Sequence, residues 1–289
     1  MSSVLYDIPG PRARRRNQML TILFGLLLLA LAWFVYRQFA AHGQFEAAKW
    51  QPFTEAKTWR EFILAGLIAT VSAAAVGMVL ALAFGLLFAV ARLSDRPWIR
   101  GPAGAVVEFC RAVPLLLMIF FVSYGLPYLI EAPVPPFWAV VTGLTLYNGS
   151  VLAEAFRAGV RAVPRGQSEA AYAIGLRKDQ VMRYILVPQA ARAMLPVIVS
   201  QLVVLLKDTA LGYIIAYPEL LERGVNQMAA NHGNVVAAAI VVGAIYIVLN
   251  SGLSGIAGWL ERRTRRGGRT TARAGTTPGT TDLAREAEA

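Results

Sequence analysis

The 289-residue chain contains one cysteine, Cys110, and two histidines, His42 and His232. A lone thiol excludes a disulfide framework and a cysteine-built metal cluster. The histidines stand far apart in the sequence, without neighbouring ligand types, and read as surface-loop residues. Lysine is nearly as scarce: Lys49, Lys57, Lys178 and Lys207 are the four present, and none follows a glycine. A phosphate-binding GxxxxGK[ST] loop is therefore missing, and with it the means to bind and hydrolyse ATP in that way. No hydrolase elbow and no metal-ligand pair occurs. No catalytic residue, metal or cofactor is expected. Charged residues make up 16% of the chain, where a soluble domain carries about 25%.

Apolar residues take the place of the missing charge, at 56% of the chain. Uncharged runs cover residues 19–36, 62–91, 112–130, 132–153 and 224–260. A further run starts near Ala193 and is interrupted by Lys207 and Asp208. A bilayer crossing needs about 20 such residues. The expected fold is an all-α integral membrane protein with about six spans. The first run follows a basic cluster, yet it is longer than a signal-peptide core, and Ala40-Ala41-His42 makes a weak cleavage site. It reads as a retained span. Gly77, Ala81 and Gly85 recur every four residues and give the second span a smooth face for close helix packing.

A net charge of +11 raises the question of nucleic acid. Its distribution answers otherwise. One set of connecting segments holds Arg12, Arg14, Arg15, Arg16, Arg92, Arg96, Arg100, Arg157, Arg161, Arg165, Arg177, Lys178, Arg183, Arg192 and seven arginines from Arg262 to Arg285. The opposite set holds Arg37, Lys49, Lys57, Arg60 and Arg223. The positive-inside rule places the first set, and both termini, in the cytoplasm. The chain divides into a basic arm (1–18), a transmembrane domain (19–263) and a Thr-, Gly- and Arg-rich tail (264–289) expected to be disordered. Residues 92–104 read as a cytoplasmic turn broken by Pro97. An outer loop spans 40–60, a tight outer turn spans 131–136, and a short helix or cap is expected between about 217 and 234.

Residues 164–190 carry charges beside small residues and do not suit a bilayer. Within them stand Glu169-Ala170-Ala171, three residues, Gly175, nine residues, then Ile185-x-Val187-Pro188. The alanines favour helix and permit close approach of another surface. Gly175 suits a helix C-terminus and Pro188 the first turn of a following helix. The pattern resembles the EAA loop of the membrane-spanning subunits of bacterial ABC importers, with Val187 where that pattern has leucine. The resemblance implies that this loop is a cytoplasmic coupling helix, with Glu169, Ala170, Ala171 and Gly175 shaping the surface that docks on an ATPase.

Further segments are similar to the permeases for polar amino acids. Glu108 to Leu117, EFCRAVPLLL, resembles E-x-F-R-G-T-P-L-L, with Cys110 inserted before Arg111 and Ala112-Val113 for Gly-Thr. Residues 153–159, AEAFRAG, resemble A-E-I-F-R-G-G; 163–167, VPRGQ, resemble V-P-K-G-Q; 206–211, LKDTAL, resemble L-K-D-T-S-L. The N-terminal VLYDIPGPR resembles the glutamate-uptake permeases of actinobacteria. The family implies two ABC ATPase subunits, a second permease subunit (homologous or identical) and an extracellular solute-binding protein as partners, and a polar amino acid as cargo. Glutamate or a related acidic or amide amino acid is the first expectation; a basic amino acid is the alternative.

Charges inside spans are costly, by at least about 2.5–3.5 kcal/mol at mid-bilayer. Lys207 lies about 15 residues into its run, roughly 20 Å along a helix, and so past the midplane towards the outer side. Its neighbour Asp208 points elsewhere on a helix. Both are candidates to line the substrate path or to pair with neighbouring helices. Glu154 and Arg157, three residues apart, are expected to form an ion pair at the cytoplasmic end of the fourth span. Glu154 and Arg111 are further path candidates at that end. An ion-coupled carrier is the competing class. It calls for ion-site residues and usually an internal repeat, and neither is visible.

Overall fold

The computed structural model describes residues 10–272. Among them every regular element is a helix or helical turn. The main elements are α1 (Pro11–Ala41), α2 (Ala56–Arg92), α3 (Pro97–Ala112), α4 (Leu115–Ile130), α5 (Pro136–Arg161), α6 (Arg165–Ala173), α7 (Lys178–Ile215) and α8 (Val235–Ala272). Helix α1 begins at Pro11, inside the expected basic arm, and α8 runs on to Ala272, inside the expected tail. The rest of both terminal segments lies outside the described residues.

Four helices, α1, α2, α7 and α8, are long and apolar enough to cross a membrane, and the count reaches five if the bent pair α3–α4 is taken as one span. The sequence led to about six. Helix α5 has the length but not the apolarity, and its position explains why. It lies at the centre of the bundle, with Ala139, Val140, Val141, Leu144, Leu152 and Ala153 fully buried beside Asn148 and Ser150. A helix wrapped in protein needs no oily exterior. It also lies parallel to α2 in a constant register: Gly77 meets Leu144 and Gly85 meets Leu152. Its path therefore follows that of a helix that does span.

Small residues set this contact. A Cβ on Gly85 would sit 2.9 Å from Leu152 and 3.0 Å from the Gly149 carbonyl; one on Gly149 would sit 2.8 Å from Phe84. Gly77, Ala81 and Gly85 are all buried, as their four-residue spacing predicts.

Residues 92–104 depart from the expected turn. Pro97 starts the 16-residue helix α3 instead. Proline is favoured at a helix's first position, and Ala103, Val107 and Cys110 form its buried stripe. The third span thus opens at Leu115, after a 100° bend between α3 and α4. Val113 takes the extended conformation that a following proline imposes. The sixth span is likewise shorter than the apolar run 224–260. Gly233, at φ +59°, turns the chain before α8. Residues 220–232 form one short helical run, the short helix or cap expected there.

In two places a wide i→i+5 turn ends two residues before a proline: residues 121–125 before Pro127 and 182–186 before Pro188. Proline lacks an N–H and crowds the carbonyl four residues back. A widened turn accommodates both defects without ending the helix. Pro188 accordingly sits inside a continuous helical run from Lys178, where the sequence suggested a helix beginning near it.

Candidate functional site

Helix α6 carries the EAA-like motif. Ala171 is buried against the bundle, whereas Glu169, Ala170, Tyr172, Ala173 and Ile174 are exposed. The helix ends in a left-handed corner: Gly175 has φ +85°, its N–H donates to the Tyr172 carbonyl at 2.9 Å, and the Leu176 N–H donates to Ala171 at 3.1 Å. This is the C-terminal cap foreseen from sequence. Gln180 Oε1 then accepts the Arg177 N–H at 2.9 Å and opens α7. Lys178 pairs with Asp95, between α2 and α3. The motif thus ends in a fixed corner, and the helix that follows it is tied through Lys178 to the α2–α3 connection.

Arg92 ends α2 and gathers carboxylates from two other helices. Its guanidinium lies 3.0 Å from Glu108 of α3 and 3.0 Å from Glu154 of α5. The second contact is an ion pair without hydrogen-bond alignment. Glu154 also takes Arg157 in a two-pronged pair, with Nε at 3.0 Å. Arg111 approaches Glu108 at 4.0 Å. Two sequence candidates, Glu154 and Arg111, therefore share one charged cluster that ties the C-terminal end of α3 to α2 and α5. Arg92 and Glu108 were not singled out, because neither helix end announces its partner in the sequence.

Lys207 and Asp208 diverge as their adjacency on a helix requires. Asp208 turns towards Asn148 of α5. Asn148 is fully buried, and its Oδ1 accepts from Gln201 Nε2. Lys207 instead faces α8, across a groove that contains Tyr246 and Asn250. It forms no ion pair among the described residues.

The opposite end of the bundle is knit by neutral and charged contacts. Lys49 Nζ donates to the Gly233 carbonyl at 2.7 Å, Arg223 donates to Glu61 at 3.1 Å, and the Tyr217 hydroxyl donates to Ala69 at 2.8 Å. Glu219 is fully buried there. Its carboxylate accepts the Leu221 and Glu222 N–H groups and the Tyr246 hydroxyl, each at 2.8 Å. Burial pushes its carboxyl above the ordinary carboxylate range, against the pull of those donors.

Comparison with known proteins decides the family. The model for "binding-protein-dependent transport system inner membrane component" matches residues 81–266, from mid-α2 into α8. The chain belongs to this family. As a member, it is a membrane-embedded permease subunit of an ABC importer, and ATP hydrolysis is done by a separate ATPase subunit. The permease is 42% identical to the glutamate transport system permease protein GluD of Corynebacterium glutamicum, over 79% of this chain and 84% of that one. It is 35% identical to the probable glutamine ABC transporter permease protein GlnP of Bacillus subtilis, over 70% and 93%. A solved amino acid ABC transporter, crystallised with histidines, superposes with a TM-score of 0.66 at 29% identity, over 69% of this chain and 92% of that one. The permease therefore handles amino acids, in a multi-pass membrane setting, with ATPase and solute-binding partners. Family membership sets aside the ion-coupled carrier.

Proposed function

We propose that this permease imports glutamate. The observation that carries the reading is the 42% identity to a glutamate permease across 84% of that protein's length. The complex would contain two ATPase subunits, a second permease subunit of the same or homologous sequence, and an external solute-binding protein that delivers the cargo. Both termini and α6 would face the cytoplasm, following the arginine asymmetry. Closure of the ATPase pair would push on Glu169, Ala170 and Ala171. The Gly175 corner and the Lys178–Asp95 contact would pass that push to α7 and to the α2–α3 connection. Cargo would enter past Lys207 and Asp208 and leave near the Arg111–Glu154 cluster.

The test is uptake by the purified complex in vesicles, across glutamate, aspartate, glutamine, histidine and arginine. Glutamate should be taken up at the lowest concentration, and only with ATP inside. Preference for arginine or histidine would refute the cargo assignment and leave the importer role standing.

A further inference from the structure

Where α2, α5 and α7 meet at the Arg92 end of the bundle lies a cavity of about 550 Å³. Its walls are mainly apolar: Leu86 and Val90 from α2, Phe156 from α5, and Met182, Ala191 and Met194 from α7. Asp95, Lys178 and Asp179 form a charged rim. The cavity can be entered from outside, since Leu86 and Val90 in its wall are 54% and 63% exposed. Lys178, Asp179 and Met182 lie on the stretch that leaves the EAA-like motif.

The level of the cavity argues against a lipid tail as its filling. Arg183 and Arg192 are exposed on the same stretch of α7. A cation on a helix surface belongs beside headgroups or water rather than hydrocarbon. Water itself is a poor occupant of apolar walls, which offer it few hydrogen-bond partners. The site calls for an apolar group that comes from the aqueous side and brings charge to the rim.

The first nine residues of the chain have that chemistry. Val4, Leu5, Tyr6 and Ile8 are apolar, Asp7 is acidic, and residues 1–9 include no lysine or arginine. The last residues, 273–289, offer Leu283 and no other large apolar side chain. Reach is sufficient. As consecutive spans, α1 and α2 share the corner at residues 42–55, so Pro11 and Arg92 lie on the same side of the membrane. Their 31 and 37 residues run about 46 and 55 Å from that corner, a difference in depth of roughly 10 Å. Nine extended residues cover about 30 Å.

We propose that the N-terminal segment docks in this cavity of its own chain, with Leu5, Tyr6 and Ile8 as apolar anchors and Asp7 beside Lys178. Lys178 already pairs with Asp95, but its side chain is 47% exposed and its ammonium has three donors. It can take a second carboxylate. A tethered segment acts at an effective concentration of about millimolar, so modest contacts hold it in place. The docked segment rests on the stretch that leaves the EAA-like motif and bridges it to α2 and α5.

The experiment uses the assembled complex in a Cys110→Ser background. Ala191→Cys, in the cavity wall, is reacted with a small thiol reagent, with and without Leu5→Asp plus Ile8→Asp. Burial of one large apolar side chain shifts occupancy by about tenfold or more. Loss of the two anchors should therefore speed labelling of Ala191→Cys about tenfold, and deletion of residues 2–8 should match it. Val197→Cys, exposed on α7 outside the cavity, should react at one rate throughout. A short thiol cross-linker offered to Ser3→Cys with Ala191→Cys should join residues of one chain. Unchanged labelling of Ala191→Cys after loss of the anchors would overturn the docking and leave the segment to the membrane surface. Faster labelling at both positions would reveal a loosened bundle and would count equally against it. Cross-links that join two copies would overturn the assignment to the same chain.

Discussion

Gly175 is constrained by its backbone alone. At φ +85° it occupies a region that L side chains avoid, yet a Cβ there would meet nothing within 4 Å. A substitution at this position is therefore strained without clashing. A β-branched residue is the least tolerant, and left-handed geometry costs an ordinary residue about 1–2 kcal/mol. Gly175→Val should move the corner rather than unfold the chain. The expected outcome is a permease that inserts and purifies normally, while uptake falls about tenfold and the ATPase runs without transport. Gly175→Asn should retain most uptake, because asparagine visits this region more readily. Coupled, undiminished uptake by the valine variant would separate this corner from energy transfer. The motif around Gly175 was legible in the sequence because its constraints are local: alanines for helix, glycine for the corner. The Arg92 cluster was not legible, since Arg92, Glu108 and Glu154 are brought together only by the packing of three helices.

Among the elements, α2 and α5 show how a polar helix can stand inside a membrane bundle. Their contact is built from glycines that accept a neighbour's backbone at short range. Tolerance should differ sharply along the same stripe. At Gly77 an added Cβ would make ordinary contacts of 3.5 Å or more, so Gly77→Ala should leave thermal stability nearly unchanged. At Gly85 even a Cβ meets backbone at 3.0 Å, so Gly85→Leu should cost about 1–3 kcal/mol or more and reduce the yield of assembled complex. Thermal unfolding of the two purified variants distinguishes them, and equal stability would contradict the close crossing. Element boundaries were harder to read than element faces. The stretch 97–104 contains two prolines and two glycines, which look like turn punctuation. The i, i+4, i+7 stripe of Ala103, Val107 and Cys110 was the available sign of a helix. The apolar run 224–260 conceals a break for the opposite reason. Hydropathy does not register a left-handed glycine, and Gly233 ends one element and admits the next.

For the molecule as a whole, the segments sorted by arginine count in the sequence are the segments that meet in space. Residues near 49, 61, 217–223 and 233 join at one end, while Arg92, Asp95, Arg111, Glu154 and Lys178 gather at the other. By the charge rule the second end would face the cytoplasm. In a Cys110→Ser background, a cysteine introduced between 131 and 136 should react with a membrane-impermeant thiol reagent on intact cells, and Ser168→Cys should react only after lysis. The reverse pattern would invert the molecule and take α6 out of reach of an ATPase. Six crossings were foreseen, and the central one fails a hydropathy test because a helix enclosed by its neighbours is selected for fit rather than oiliness.

Helix α1 stands outside this fabric. None of its residues is buried, and its ring contacts outside the helix are to Phe45, in the turn that follows. Mechanically it is a mooring line rather than a beam. Among the described residues the bundle buries none of its side chains, and the corner after Ala41 is its covalent link to the rest. Its length relative to the bilayer and its interfacial anchors bear on its tilt. A spin label on its middle turns should report the lipid environment and change little on ATP-driven turnover; a large turnover-dependent change would place α1 against a moving partner.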